Sequence, residues 1–152
     1  MMRKIMNKGK LVLSGIIMYL SNCFVWSTCH ISFDEALRSG DPRTVENALL
    51  EEGVEGINAK DAEGMTPLHF AVDNNNVNVA EVLLNYGAKI DAKDSLAQWT
   101  ALHFAANNNN VEMVEMLLRY NADATIKDAA GMSPFVLASI LGHKEVANLL
   151  FF

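Results

Sequence analysis

The sequence predicts an all-α solenoid of about three and a half to four helix-turn-helix repeats joined by β-hairpin turns. Three observations lead to it. One motif recurs in register: Thr66-Pro67-Leu68-His69, Thr100-Ala101-Leu102-His103 and Ser133-Pro134-Phe135-Val136 start 34 and then 33 residues apart, and a fixed period in this range marks stacked structural units. Each copy is followed by a second apolar stretch, ending in Leu83-Leu84, Leu117-Leu118 and Leu149-Leu150. Helix punctuation lies between them, with Thr-Pro or Ser-Pro at the starts and Gly87 or Asn121 at the stops. Neither helix of such a pair has enough apolar area to be stable alone, so each unit must bury a face against its neighbour. At 152 residues and 51% apolar content the chain suffices for one domain with a real core.

Residues 1–30 stand outside the repeat. Arg3, Lys4, Lys8 and Lys10 lead into the apolar run from Leu11 to Leu20, and small and polar residues follow; this is the layout of a secretory signal peptide. Ser21 and Asn22 interrupt the run, which stays below the roughly 18 to 20 residues of a spanning helix. An uncleaved anchor over residues 11–26 is the second reading. The first reading makes the repeats secreted or periplasmic, and the second leaves them membrane-anchored outside the cytosol. Small residues permit cleavage after Cys23, Ser27 or Cys29. Leu20-Ser21-Asn22-Cys23 is faintly similar to a lipoprotein signal, but Asn22 stands where a small residue is wanted. Cys23 and Cys29 are the only cysteines, and no structural disulfide follows from them.

Residues 31–57 form a degenerate first unit with helices over about Phe33 to Ser39 and Pro42 to Glu51. Ser32, with Glu35 three residues on, has the pattern of a capping box. Residues 58–90 are the first full unit. Its helix from Pro67 to about Asp73 leads to Asn74-Asn75-Asn76, small polar residues suited to a left-handed turn; a second helix runs from about Val77 to Tyr86. Residues 91–123 repeat this with Asn107-Asn108-Asn109-Asn110. Between Asp94 and Thr100 they hold one residue more than between Asp61 and Thr66, and no glycine stands in the place of Gly64. A longer or bulged hairpin tip is expected there. Residues 124–152 are a truncated last unit, in which Leu149-Leu150-Phe151-Phe152 is aligned with Leu83-Leu84-Asn85-Tyr86 and leaves core surface uncovered.

The Thr66-Pro67-Leu68-His69 element, the Leu83-Leu84 and Leu117-Leu118 pairs and the Gly87-Ala88 terminator resemble the ankyrin repeat, over about Ser32 to Phe152. The resemblance implies a hairpin turn and two antiparallel helices per repeat, in a curved solenoid whose usual task is to bind another protein. It implies that partners touch the hairpin tips and inner helices. Those positions map here to Ala62, Glu63, Met65, Asp73, Asn74, Leu96, Gln98, Trp99, Asn107, Asn108, Ala129, Ala130, Met132 and Ile140. Trp99 leads this set, because exposed tryptophans are enriched at binding hot spots, unless its indole folds back over the next repeat.

The same resemblance makes Thr66, Pro67, Leu68, His69, Thr100, Leu102, His103, Ser133 and Pro134 a structural motif, with the histidines hydrogen-bonding within and between hairpins. No cysteine or histidine spacing suits a metal, and there is no phosphate-binding glycine loop and no nucleophile elbow. Catalytic, metal and cofactor-binding residues are therefore expected to be absent, as is a small-molecule substrate. All eighteen acidic residues lie at or after Asp34 with eight basic ones, a net charge of −10 over that stretch. This disfavours nucleic acid and anionic membranes and favours neutral or basic protein partners. The expected function is a non-catalytic protein–protein interaction module exported from the cytosol, in a layout that suits a bacterial protein meeting host proteins. The alternatives are a membrane-anchored scaffold and a vestigial repeat protein without a partner.

Overall fold

The computed structural model describes residues 10–13, 16–19, 32–54 and 56–151. It divides into two units, Met1–His30 and Ile31–Phe152. In the first, strand β1 (Lys10–Leu13) pairs antiparallel with β2 (Ile16–Tyr19), with Lys10 opposite Tyr19 and Leu13 opposite Ile16. Val12, Ile16, Ile17 and Tyr19 are β-branched or aromatic, which favours extended backbone. This short ladder was not expected from the sequence, and the all-α expectation holds for the second unit. The cysteines, His30, the three cleavage positions and Phe152 lie outside the described residues. No helix among the described residues is long and apolar enough to cross a membrane.

The second unit is four helix pairs: α1 (Phe33–Ser39) with α2 (Pro42–Glu52), α3 (Pro67–Asp73) with α4 (Val77–Asn85), α5 (Ala101–Asn107) with α6 (Val111–Arg119), and α7 (Pro134–Leu141) with α8 (Lys144–Leu149). The starts follow local chemistry. Ser32, Asp41, Asn76, Asn110 and Ser133 each accept a hydrogen bond at the open N-terminal turn of the helix that follows, and Pro42, Pro67 and Pro134 occupy first-turn positions where no amide partner is needed. The turns inside the pairs use residues that tolerate positive φ: Gly40 (69°), Asn75 (57°), Asn109 (54°) and Gly142 (79°). Gly87 and Asn121 do the same after α4 and α6, at 95° and 63°.

The first helices of the pairs stack as an inner row, α1, α3, α5 and α7, and their partners as an outer row, α2, α4, α6 and α8. Leu68, Ala71 and Val72 turn one stripe of α3 into the core, and Leu102, Ala105 and Ala106 do so for α5. Leu83, Met113, Met116 and Leu117 come in from the outer row, and each fully buried aliphatic side chain of this size contributes about 1.5–3 kcal/mol over leaving it in water.

The last pair corrects one alignment. Leu150 is buried where Leu83 and Leu117 are buried, and His143 N–H bonds to the Ala138 carbonyl as Asn76 N–H does to Ala71. Leu150 therefore matches Leu83, and the final run sits one residue earlier in the repeat than the sequence alignment had it. Phe151 stays 73% exposed and rests against Phe135, ring centroids 5.6 Å apart.

Candidate protein-interaction surface

The turns that precede α3, α5 and α7 are hairpins, each organised by one aspartate. Asp61 Oδ1 accepts from the amides of Glu63 (3.0 Å) and Met65 (2.8 Å), while Asp61 N–H donates to the Met65 carbonyl at 3.0 Å. Asp128 repeats this with Ala130 (2.9 Å) and Met132 (2.8 Å). The buried Asp94 takes three amides, from Leu96, Ala97 and Trp99, so the extra residue of this hairpin is absorbed by one more bond to the same carboxylate. Gln98 adopts φ 58° where Gly64 and Gly131 have 78°. Its Nε2 donates to the Asp94 carbonyl at 2.9 Å, which helps to hold a side-chain-bearing residue in a conformation such residues avoid.

The hairpins bond to one another as well. Ser95 N–H donates to the Glu63 carbonyl and Ala129 N–H to the Ala97 carbonyl, both at 2.9 Å. Lys60 Nζ donates to the Lys93 carbonyl at 2.7 Å, and Lys93 Nζ to the Lys127 carbonyl at 2.8 Å. Gly64 lies so close to the second hairpin that a Cβ there would stand 2.0 Å from Ser95 Oγ and 2.6 Å from its backbone nitrogen.

The histidines are committed to the same framework. Thr66 N–H donates to His69 Nδ1 at 3.0 Å, so Nε2 carries the proton and donates to the Ala92 carbonyl at 2.9 Å. His103 copies this with Thr100 N–H (3.2 Å) and the Met132 carbonyl (3.1 Å). Burial, above all other causes, lowers both pKa values below the ordinary histidine range and keeps the rings neutral; the carbonyls oppose it only in part. His143 Nδ1 lies 2.9 Å from the Ala106 carbonyl, joining the last repeat to the one before. Among the described residues no group of three or more His, Cys, Asp or Glu side chains could hold a metal, and no buried side-chain polar atom lacks a partner.

The candidate binding residues fall on the hairpin tips and along the inner row. Ala62, Glu63, Gln98, Ala129 and Ala130 are exposed at the tips, and Met65 and Met132 are half-buried beneath them. Leu96 stands 74% exposed on the bulged hairpin and Ile140 68% exposed on α7. Asp73 and Asn107 are exposed at the ends of α3 and α5. Asn74 and Asn108 spend side-chain donors on the Phe70 and Asp73 carbonyls. Trp99 is half-buried; its Nε1–H donates to Asp128 Oδ2 at 3.2 Å, and its ring meets the Phe104 edge (5.1 Å) and lies parallel to His103 (6.4 Å). Of the two orientations open to the indole, the structure shows it packed over its own scaffold.

Sequence reasoning missed two groups. Phe70 and Val136 are exposed on the inner helices; the signal for Phe70 was present, because Leu68, Ala71 and Val72 form the buried stripe and leave Phe70 pointing away. It also passed over Asp61, Asp94 and Asp128 as hairpin organisers, although their recurrence at the repeat period was visible.

A family model described as ankyrin repeats (3 copies) matches residues 33–94 and 93–152. The chain belongs to the ankyrin-repeat family, whose repeats generally mediate protein–protein interaction and are typically not catalytic. A 46-residue stretch is 50% identical to acyl-CoA-binding domain-containing protein 1 of Arabidopsis thaliana, covering 29% of this chain and 13% of that protein. Protein 2 of the same name and organism is 48% identical over 46 residues, with the same coverage. The ankyrin repeat and LEM domain-containing protein 1 homolog of Caenorhabditis elegans is 44% identical over 50 residues, 33% of this chain and 7% of that one. The chain spans a small part of the length of these relatives.

Proposed function

We propose that this chain is a non-catalytic module exported from the cytosol that binds a protein partner through its hairpin tips and inner helices. The observation that carries the binding surface is the pair of Leu96 and Ile140, 74% and 68% exposed on elements otherwise anchored by dense backbone and side-chain hydrogen bonds. A rigid surface loses little ordering entropy on binding, and exposed apolar side chains on it gain from desolvation. The net charge of −10 from Asp34 onward speeds encounter with basic partners and slows it with acidic ones. Support for export is the basic-then-apolar order of residues 1–30.

Two measurements test this. Immobilised chain retains a protein from extracytoplasmic or host material, and Leu96→Ser combined with Ile140→Ser lowers that retention at least about tenfold with an unchanged thermal midpoint; equal retention by the double variant overturns the surface. Intact mass measured in each cell compartment gives a species shortened within the first 30 or so residues outside the cytosol, and a full-length cytosolic species overturns export.

A further inference from the structure

The hairpins follow a rule that the first of them leaves incomplete. The amide one residue after each organising aspartate is not used by that aspartate. In the second and third hairpins it donates to the preceding hairpin: Ser95 N–H to the Glu63 carbonyl and Ala129 N–H to the Ala97 carbonyl, each at 2.9 Å. The equivalent amide of the first hairpin, that of Ala62, makes no hydrogen bond among the described residues. Between α1 and α3 lies a groove of about 580 Å³, and Asp61, the residue before Ala62, is part of its lining. Its walls include Leu37, Met65, Pro67 and Phe70, and its charged groups are balanced, Asp34 and Asp61 against Arg38 and Lys60.

We propose that an extended segment of a partner protein occupies this groove and continues the hairpin ladder, one of its carbonyls accepting from Ala62 N–H and its alternate apolar side chains entering beside Met65, Pro67 and Phe70. Main-chain pairing at an open edge supplies affinity, and the pockets for alternate side chains supply selectivity. The interaction has the form of a contact the protein already makes twice within itself, which is why an extended peptide is the occupant. This deepens the protein-binding reading given above and rests on it.

Ala62 offers a clean test. Gly64 N–H bonds to the Asp61 carbonyl at 3.0 Å, so Ala62 is the second residue of a four-residue turn, a position that favours proline. Ala62→Pro deletes the amide and keeps the turn. The full chain is screened against a displayed library of random linear peptides. Selected peptides are expected to slow hydrogen exchange at the Ala62 amide, and Ala62→Pro to weaken them about tenfold, as removal of a main-chain hydrogen bond does. Leu50→Ser, at an exposed position of the outer helix α2 outside the groove lining, is expected to leave them unchanged. Selection of no peptide, or of peptides indifferent to Ala62→Pro, overturns the inference. If binding instead fails only with Leu96→Ser, the tip surface stands and the groove does not. If neither Ala62→Pro nor Leu96→Ser combined with Ile140→Ser alters any peptide or captured partner, the protein-binding reading fails as well. Slow exchange at Ala62 in the free chain overturns the partner assignment: a mass that rises with concentration identifies a second copy as occupant, and a constant mass identifies the chain's own residues.

Discussion

Gly64 and Gly131 share a backbone conformation, φ 78°, but differ in what a side chain would meet. A Cβ at Gly131 meets open space, so Gly131→Ala carries only the left-handed strain, about 1–2 kcal/mol. At Gly64 it meets the Ser95 amide nitrogen, itself held by the Glu63 carbonyl, and overpacking adds a further 1–3 kcal/mol or so. Urea unfolding of the two variants should show this difference; equal losses would mean that the hairpins can move apart at no cost. His69 and His103 make a second prediction, on pH. In the unfolded chain they titrate near about 6.5, whereas in the fold burial lowers them, with Asp94 and Lys60 facing His69 and Asp128, Lys93 and Asp94 facing His103. Below about pH 6.5 the unfolded chain therefore binds protons that the folded chain does not, and stability falls as pH falls until the folded values are passed. The urea midpoint should be lower at about pH 5.5 than at about pH 7.5, and imidazole signals of the folded chain that titrate at or above the ordinary value would refute the argument. Asp128 acts in a separate, lower window. Burial would raise its pKa, but the Met132 amide, the Trp99 indole and the Ala130 amide together hold it below 3.8, so its contribution is present above that value and lost as pH falls through the folded one.

Elements are joined by the same residues that start them. Asn110 Oδ1 caps α6 by accepting from Met113 N–H at 2.9 Å, and its Nδ2 reaches back one repeat to Asn75 Oδ1 at 3.0 Å. Asn76 does likewise, capping α4 through Val79 N–H (3.1 Å) and donating to the Gly40 carbonyl (2.6 Å). The asparagine runs were legible as turns because a left-handed residue is a local requirement. Their bonds along the stack were not legible, because the acceptors lie about a full repeat away. Asn110→Ala should cost about 1–2 kcal/mol as a lost cap and a lost inter-repeat bond. Asn107→Ala should cost close to nothing, since Asn107 is exposed and its side chain donates only to its neighbour Asn108. Chemical denaturation distinguishes the two, and equal effects would reduce the runs to a compositional bias.

On the scale of the whole repeat unit, stability is a sum over neighbours. Helix α5 packs against α3 and α7, and α6 against α4 and α8, whereas among the described residues α1 and α2, like α7 and α8, meet a repeat on one side only. Leu50 on α2 and Val54 just after it are exposed. Amide exchange should be slowest in α5 and α6 and fastest in the end pairs, α1 with α2 and α7 with α8; uniform protection would indicate a single cooperative block. Composition, period and punctuation sufficed for the number of repeats, the helix limits and the turn residues, because each of these depends on chemistry within a few positions of the chain. Contacts one repeat apart settled the rest. They pulled the Trp99 indole onto Asp128 and buried Leu150 in the place of Leu83, while a bond inside the hairpin, from Gln98 Nε2 to the Asp94 carbonyl, let Gln98 stand where its neighbours have glycine. They also left the amide of Ala62 as the one member of its series with no described acceptor, a property of how the hairpins stack that no local pattern in the chain encodes.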